Sequence, residues 1–230
     1  MFRISLAGLT VEIDNKYGYI KALAKDYITE GEANFAVGCT AEEIEREANG
    51  VYSPEYSESI VIYRKIAEVL PRYGAVVFHG AVLASDTQAY AFTARSGVGK
   101  TTHINNWLRA FGEEYHVLNG DKPILRKIDG KFYACGTPWQ GKENLGVNEM
   151  KPLGAVAFLA RGEKNEAKPI DSSLALMPFM SQIYIPNSER EAELALALAG
   201  EILDGASLFS LRVNMDVESA AVARKAFEGN

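Results

Sequence analysis

The sequence predicts an α/β fold in which helices flank a mixed, largely antiparallel, curled sheet. Three observations point there. Residues 88–93 alternate apolar and polar as a strand does, and Ala94-Arg-Ser-Gly-Val-Gly-Lys-Thr-Thr102 follows as a glycine-rich turn. Apolar residues then recur at helical spacing to residue 111, giving strand, loop and helix in that order. The apolar stretch 75–84 reaches that strand through the short turn Ser85-Asp86-Thr87, which makes an antiparallel hairpin. A second hairpin is written by the Asp129-Gly130 turn between apolar runs at 123–128 and 131–136.

The remaining elements follow the same reasoning. Residues 2–13 alternate as a strand, residues 34–39 form a second short one, and the acidic stretch 41–47 forms a solvated helix. Ile60, Ile62, Ile66, Ala67 and Leu70 set a helical stripe over 57–73, ended by Pro71 and Gly74. After the loop helix come strands at 116–118 and 154–160, with 161–168 most simply a solvated loop, although Arg161 could face a phosphate. Helices at 172–184 and 188–202, a strand at 208–213 and a terminal helix from Val217 complete the chain. The expected organisation is one domain, with residues 1–56 as a small N-terminal layer on a core spanning 57–230.

With 230 residues, 47% hydrophobic and 23% charged, the chain has ample material for a globular core. Its net charge of −6 argues against binding nucleic acid through phosphate neutralisation. The two cysteines, Cys39 and Cys135, lack metal-ligand spacing and read as buried reduced thiols. No apolar run approaches the roughly 18 residues of a membrane span, and the first residues alternate instead of forming a signal-peptide core. The expected compartment is the cytoplasm, and no membrane partner is expected.

Residues 94–102 carry the chemistry. Successive backbone N–H groups of a glycine-rich turn, together with a helix N-terminus, make a concave site of positive potential suited to di- and triphosphate oxygens. Ser96, Gly97, Val98, Gly99, Lys100, Thr101 and Thr102 are the expected nucleotide-binding residues. Lys100 would place its ammonium on the β- and γ-phosphates, and the Thr101 hydroxyl would coordinate a bridging Mg²⁺. ATP and Mg²⁺ are the expected cofactors. Ala94 stands where the usual pattern has its first glycine, a minor change unless positive φ is needed there.

Four blocks in order, His79-Gly80, residues 96–102, Asn119-Gly120-Asp121-Lys122-Pro123 and Gly136-Thr137-Pro138-Trp139-Gln140-Gly141-Lys142-Glu143, resemble the HPr kinase/phosphorylase and phosphoenolpyruvate carboxykinase group. The last two blocks look like a bacterial subgroup of HPr-kinase-related proteins. The resemblance implies a phosphoenolpyruvate carboxykinase-like sheet and an ATP-dependent phosphotransferase acting on a hydroxyl of a peptide, protein or small molecule. It also implies that His79 tunes the carboxylate of Asp121, which removes the proton of the attacking hydroxyl.

The chain departs from that pattern at Gly120, where the kinases of the group carry a first aspartate beside the second. One carboxylate remains. Either Asp121 is a Mg²⁺ ligand beside Thr101, or it is the base and Glu143 supplies the second metal ligand. The single carboxylate also motivates a different class of reading, a nucleotide-binding regulatory or assembly module with little turnover. His103 and His116 read as structural or surface residues, Trp139 as packing beneath the 136–143 loop, and Lys142 with Glu143 as a segment facing substrate or phosphate.

Overall fold

The computed structural model describes residues 1–95 and 97–229. The alternating stretch 2–13 is a hairpin and not a single strand: β1 (Phe2–Leu6) and β2 (Leu9–Asp14) pair antiparallel, with Phe2 opposite Ile13. Ala7 and Gly8 both take positive φ, 53° and 75°, the geometry of a two-residue hairpin turn. An alanine at the first turn position hides this from the sequence. β3 (Phe35–Gly38) adds parallel to β2.

Between β2 and β3 lies α1 (Tyr19–Leu23), with a 3-10 turn at Lys25–Tyr27 behind it. Five residues are too few to leave a helical periodicity in the sequence. α2 (Ala41–Ala48) opens on a capping box, in which Thr40 Oγ1 accepts from the Glu43 amide and the Glu43 carboxylate accepts from the Thr40 amide. α3 (Pro54–Val69) starts three residues before its predicted stripe. Ser53 caps it, and Pro54 occupies the first turn, where an N–H has no intrahelical partner to lose. A 3-10 turn, Leu70–Tyr73, ends at Gly74 in the left-handed conformation.

The predicted strand 75–84 is two strands in different arms of the large sheet. β4 (Ala75–Val77) pairs with β8 (Ile124–Ile128), whereas β5 (Ala81–Ala84) pairs antiparallel with β6 (Ala89–Thr93) and β7 (His116–Asn119). Apolar continuity on both sides of residues 78–80 conceals the break. β8 and β9 (Lys131–Cys135) form the predicted hairpin around Asp129 and Gly130, both at positive φ.

β10 (Met150–Arg161) is longer than its predicted 154–160. Its first residues pair antiparallel with β9; beyond them it runs parallel to β6 and to β12 (Ser207–Val213). Residues 161–168, expected as a solvated loop, instead end β10 and begin β11 (Glu166–Pro169), antiparallel to β12. Its mostly exposed Glu-Ala-Lys-Pro has the polarity of a strand at a sheet edge. The sheet is therefore mixed and mostly antiparallel, with its parallel pairings gathered on β10.

α4 (Lys100–Phe111) and α7 (Glu218–Glu228) cover one face, and α5 (Ser172–Met180) and α6 (Glu189–Gly205) the other. α5 stops short of the predicted residue 184 because the chain beyond it joins the sheet: the Tyr184 amide donates to Val77 O at 3.0 Å and Ile183 bridges Phe78. β5 and β6 are buried along their whole length. Val82 and Ala91 meet Phe179 and Ile202 on one side; Leu83, Tyr90 and Phe92 meet Trp107 and Ala223 on the other.

A further cluster joins Ile4 and Val11 of the small sheet, Ile62 and Ile66 of α3, and Val77 and Ile124 of the large sheet. Cys39 and Cys135 are buried free thiols, as expected. Among the described residues, no helix is long and apolar enough to cross a membrane.

Candidate functional site

β6 ends at Thr93, and α4 begins at Lys100. Gly97 and Gly99 adopt φ of 78° and 121°, conformations in which an L side chain is strained, and a Cβ at either would meet only open space. The backbone is thus bare toward a cleft. Ala94 is absent from the residues at positive φ, so alanine in place of the usual first glycine causes no strain. No side chain caps α4, and its first turn holds no acidic residue, which leaves the first N–H groups available to an anion. Ser96 lies outside the described residues.

Arg161, at the end of β10, does not line the cleft but is engaged with the loop's carbonyls. Its guanidinium donates to Gly97 O at 2.6 Å and to Val98 O at 3.2 Å, fixing the carbonyl side of the loop. Val98 turns its half-buried side chain against the core beneath α4, and Thr102 lies half-buried on α4; neither lines the cleft.

The break between β4 and β5 places His79. The Phe78 amide donates to Pro123 O at 2.9 Å, the Gly80 amide to Asp121 O at 3.1 Å and the His79 amide to Gln182 O at 2.6 Å. This stitching holds His79 beside the segment after β7, with Nε2 3.3 Å from Asp121 Oδ1. Asn119 organises that segment, a role that its place at the head of the 119–123 block did not reveal. Fully buried, it accepts at Oδ1 from the amides of Asp121 (2.9 Å) and Lys122 (2.8 Å), and its Nδ2 donates to Thr137 O at 3.1 Å. The arrangement is a side-chain-built turn, the common use of asparagine after a strand. A Cβ at Gly120 would lie 2.9 Å from Gln140 O and 3.3 Å from Leu145 O, so the fold excludes a second carboxylate there.

A single cleft of about 810 Å³ gathers Gly97, Gly99, Lys100, Thr101, His79, Asp121 and Glu143. Arg95, Lys100, Lys122 and Lys142 supply four cations to it against the carboxylates of Asp121 and Glu143, so this local field is positive although the chain is acidic. Burial opposes ionisation of Asp121, but the His79 hydrogen bond, then the charge of Lys122 at 3.6 Å and that of Lys100, hold it below the ordinary carboxylate range. Burial pushes the Lys100 ammonium below its ordinary value, Asp121 opposes this, and Lys122 adds to it. A half-buried ammonium in that state gains from a polyanion brought alongside.

The other histidines are structural. His103 is buried in α4, where Trp107 Nε1 donates to its Nε2 at 2.9 Å, and His116 pairs with Glu149 at 3.0 Å. Trp139 is buried, its ring 5.3 Å from that of Tyr63 and its Nε1 donating to Ser59 O at 3.3 Å. Among the described residues, no three His, Cys, Asp or Glu side chains gather as a metal cage. The cleft can therefore hold a polyanion at the α4 end while presenting an ionised carboxylate, backed by an imidazole, a short distance away.

No protein-family model matches the chain, and no curated protein matches it. Among solved structures it is similar to the Hpr(Ser) kinase/phosphatase from Coxiella burnetii, at 10% identity, over 65% of this chain and 95% of that one, with a TM-score of 0.40. At that score the likeness carries no weight for function, and the residues of the cleft carry it instead.

Proposed function

We propose that the chain is an ATP-dependent phosphotransferase of phosphoenolpyruvate carboxykinase-like fold, with residues 94–102 as its phosphate-binding loop. The observation that carries the reading is one cleft in which a bare glycine loop with Lys100 and Thr101 faces the His79–Asp121 pair. The residues fit a Mg²⁺-bound triphosphate: nothing within 4 Å blocks the approach at Gly97 and Gly99, the α4 N-terminus is uncapped, and Lys100 is desolvated. Thr101 with Glu143 would hold the metal, which when bound neutralises charge across the β- and γ-oxygens.

Each side chain then has a task. The loop amides and Lys100 bind and orient the phosphates. Asp121, ionised and held by His79, accepts the proton of the attacking hydroxyl. The bond from phosphorus to the β,γ-bridging oxygen breaks with its electron pair leaving on ADP, and the bond from phosphorus to the acceptor oxygen forms. A depressed carboxylate is a weak base, but a loose transition state needs positioning more than proton removal.

Incubation with γ-labelled ATP, Mg²⁺ and hydroxyl acceptors tests this. Wild type is expected to release ADP and label an acceptor; Lys100→Ala is expected to do neither. Asp121→Asn is expected to bind ATP and lose transfer by about 10²–10⁴-fold. Tight ATP binding without ADP release under any condition would replace the phosphotransferase with the regulatory-module reading.

A further inference from the structure

The residue after Asp121 is a lysine, and the side chain of Lys122, 26% exposed, lines the same cleft. Its backbone is held on both sides. The Lys122 amide donates to Asn119 Oδ1 at 2.8 Å, and its carbonyl accepts from Thr137 Oγ1 at 2.8 Å. Pro123 follows, with its own carbonyl bound to the Phe78 amide. The side chain therefore springs from a fixed point, and the same asparagine fixes the amide of Asp121.

Lys122 Nζ lies 3.6 Å from Asp121 Oδ1, an oxygen that already has His79 Nε2 at 3.3 Å. At that distance the ammonium is drawn to the carboxylate without spending its three donors on it. The charges of Lys122 and Lys100 both act on Asp121, and that of Lys122 also acts on Lys100, so the three groups share one small volume. One carboxylate beside two ammoniums leaves a surplus of positive charge there. An anion that enters between the loop lysine and the carboxylate meets both cations.

Resting on the phosphotransferase reading, we propose that Lys122 is a further catalytic residue, whose ammonium donates to a non-bridging oxygen of the γ-phosphoryl group while that group passes from ADP to the acceptor. The attacking oxygen is within hydrogen-bond reach of Asp121 and about 3–3.5 Å from phosphorus, which brings the moving group to the side of the carboxylate where Lys122 stands. The bond to the β,γ-bridging oxygen breaks with its electron pair on ADP, the bond to the acceptor oxygen forms, the hydroxyl proton goes to Asp121, and Lys122 keeps its own protons. Charge is then spread over three equatorial oxygens, and a cation positioned there in advance stabilises transfer more than it stabilises bound ATP. A lysine that served only to keep Asp121 ionised would matter at low pH and not where the carboxylate ionises without help.

Measurements on the full chain separate this role from the reading beneath it. Calorimetry of Mg²⁺-ATP and ADP release by wild type report on the phosphotransferase; absence of both would overturn the reading and the inference together. Lys122→Met is expected to bind Mg²⁺-ATP within about threefold of wild type and to slow ADP release about 10²–10³-fold on the pH plateau above the acid limb. It is also expected to weaken binding of Mg²⁺-ADP with aluminium fluoride, a mimic of the group in flight, by a similar factor. Lys122→Arg, which retains the charge, is expected to recover part of both losses. A loss confined to the acid limb would make Lys122 a partner of Asp121 alone and overturn the inference. So would unchanged binding of the aluminium fluoride complex, a loss of ATP affinity as large as the loss of rate, or a Lys122→Arg variant no more active than Lys122→Met.

Discussion

Asp121 is the residue on which charge, geometry and chemistry converge. Its carboxylate is kept ionised by an imidazole at 3.3 Å and by nearby lysines, against the opposing effect of burial. Removing the imidazole removes the largest of the lowering influences. His79→Ala is therefore expected to move the acid limb of the pH–rate profile upward, and an unmoved limb would separate His79 from the carboxylate. His103 illustrates the opposite sign in a structural role. Burial pushes its pKa down to about 4 from an ordinary value of 6.5, and Nε2 is occupied by the Trp107 N–H. The unfolded chain takes up the proton first, so stability is full above pH 6.5 and falls between 6.5 and about 4. The contribution of His103 to that loss is on the order of 3 kcal/mol, read from urea midpoints across the window. His103→Gln should lose less stability across that window than wild type, the difference being the contribution of this histidine.

At the scale of elements, the loop and the turn after β7 are built by opposite means. Gly97 and Gly99 keep space open, whereas Gly120 is closed in by the Gln140 and Leu145 carbonyls. Gly120→Asp is therefore expected to destabilise the protein by about 1–3 kcal/mol in chemical denaturation and to leave transfer unimproved. Full stability with enhanced turnover would contradict the packing. The Arg161 clamp on Gly97 and Val98 predicts that Arg161→Ala weakens ATP binding about tenfold with little change in Tm.

Much of this level was legible in the sequence. The loop is local, and the Asp129-Gly130 turn is written in consecutive residues. The break at residues 78–80 was not, because both sides are equally apolar and only pairing with different neighbours divides them. The Arg161 clamp was not legible because its partners lie more than 60 residues away. β11 lacks the apolar signal of a strand and is set by its partner β12.

Across the whole molecule, the cleft is where the small sheet's helices meet the large sheet's loops, and Trp139 sits at that junction. It belongs to the core cluster containing Ile4 and Ile62 while lining the cleft. Trp139→Ala is expected to cost about 3–5 kcal/mol by urea denaturation. His79, Lys100, Asp121 and Glu143 come to the cleft from four separated segments, each within a block of residues that the sequence sets apart, whereas Tyr19, Tyr56 and Tyr63 line it without belonging to any such block.

The most direct test is calorimetric titration of ATP into wild type and Lys100→Ala, each with and without Mg²⁺. Magnesium-dependent binding in the micromolar to millimolar range is expected for wild type and its loss for the variant. No binding by wild type, or equal binding by Lys100→Ala, would contradict the assignment of residues 94–102 as the site of the phosphates.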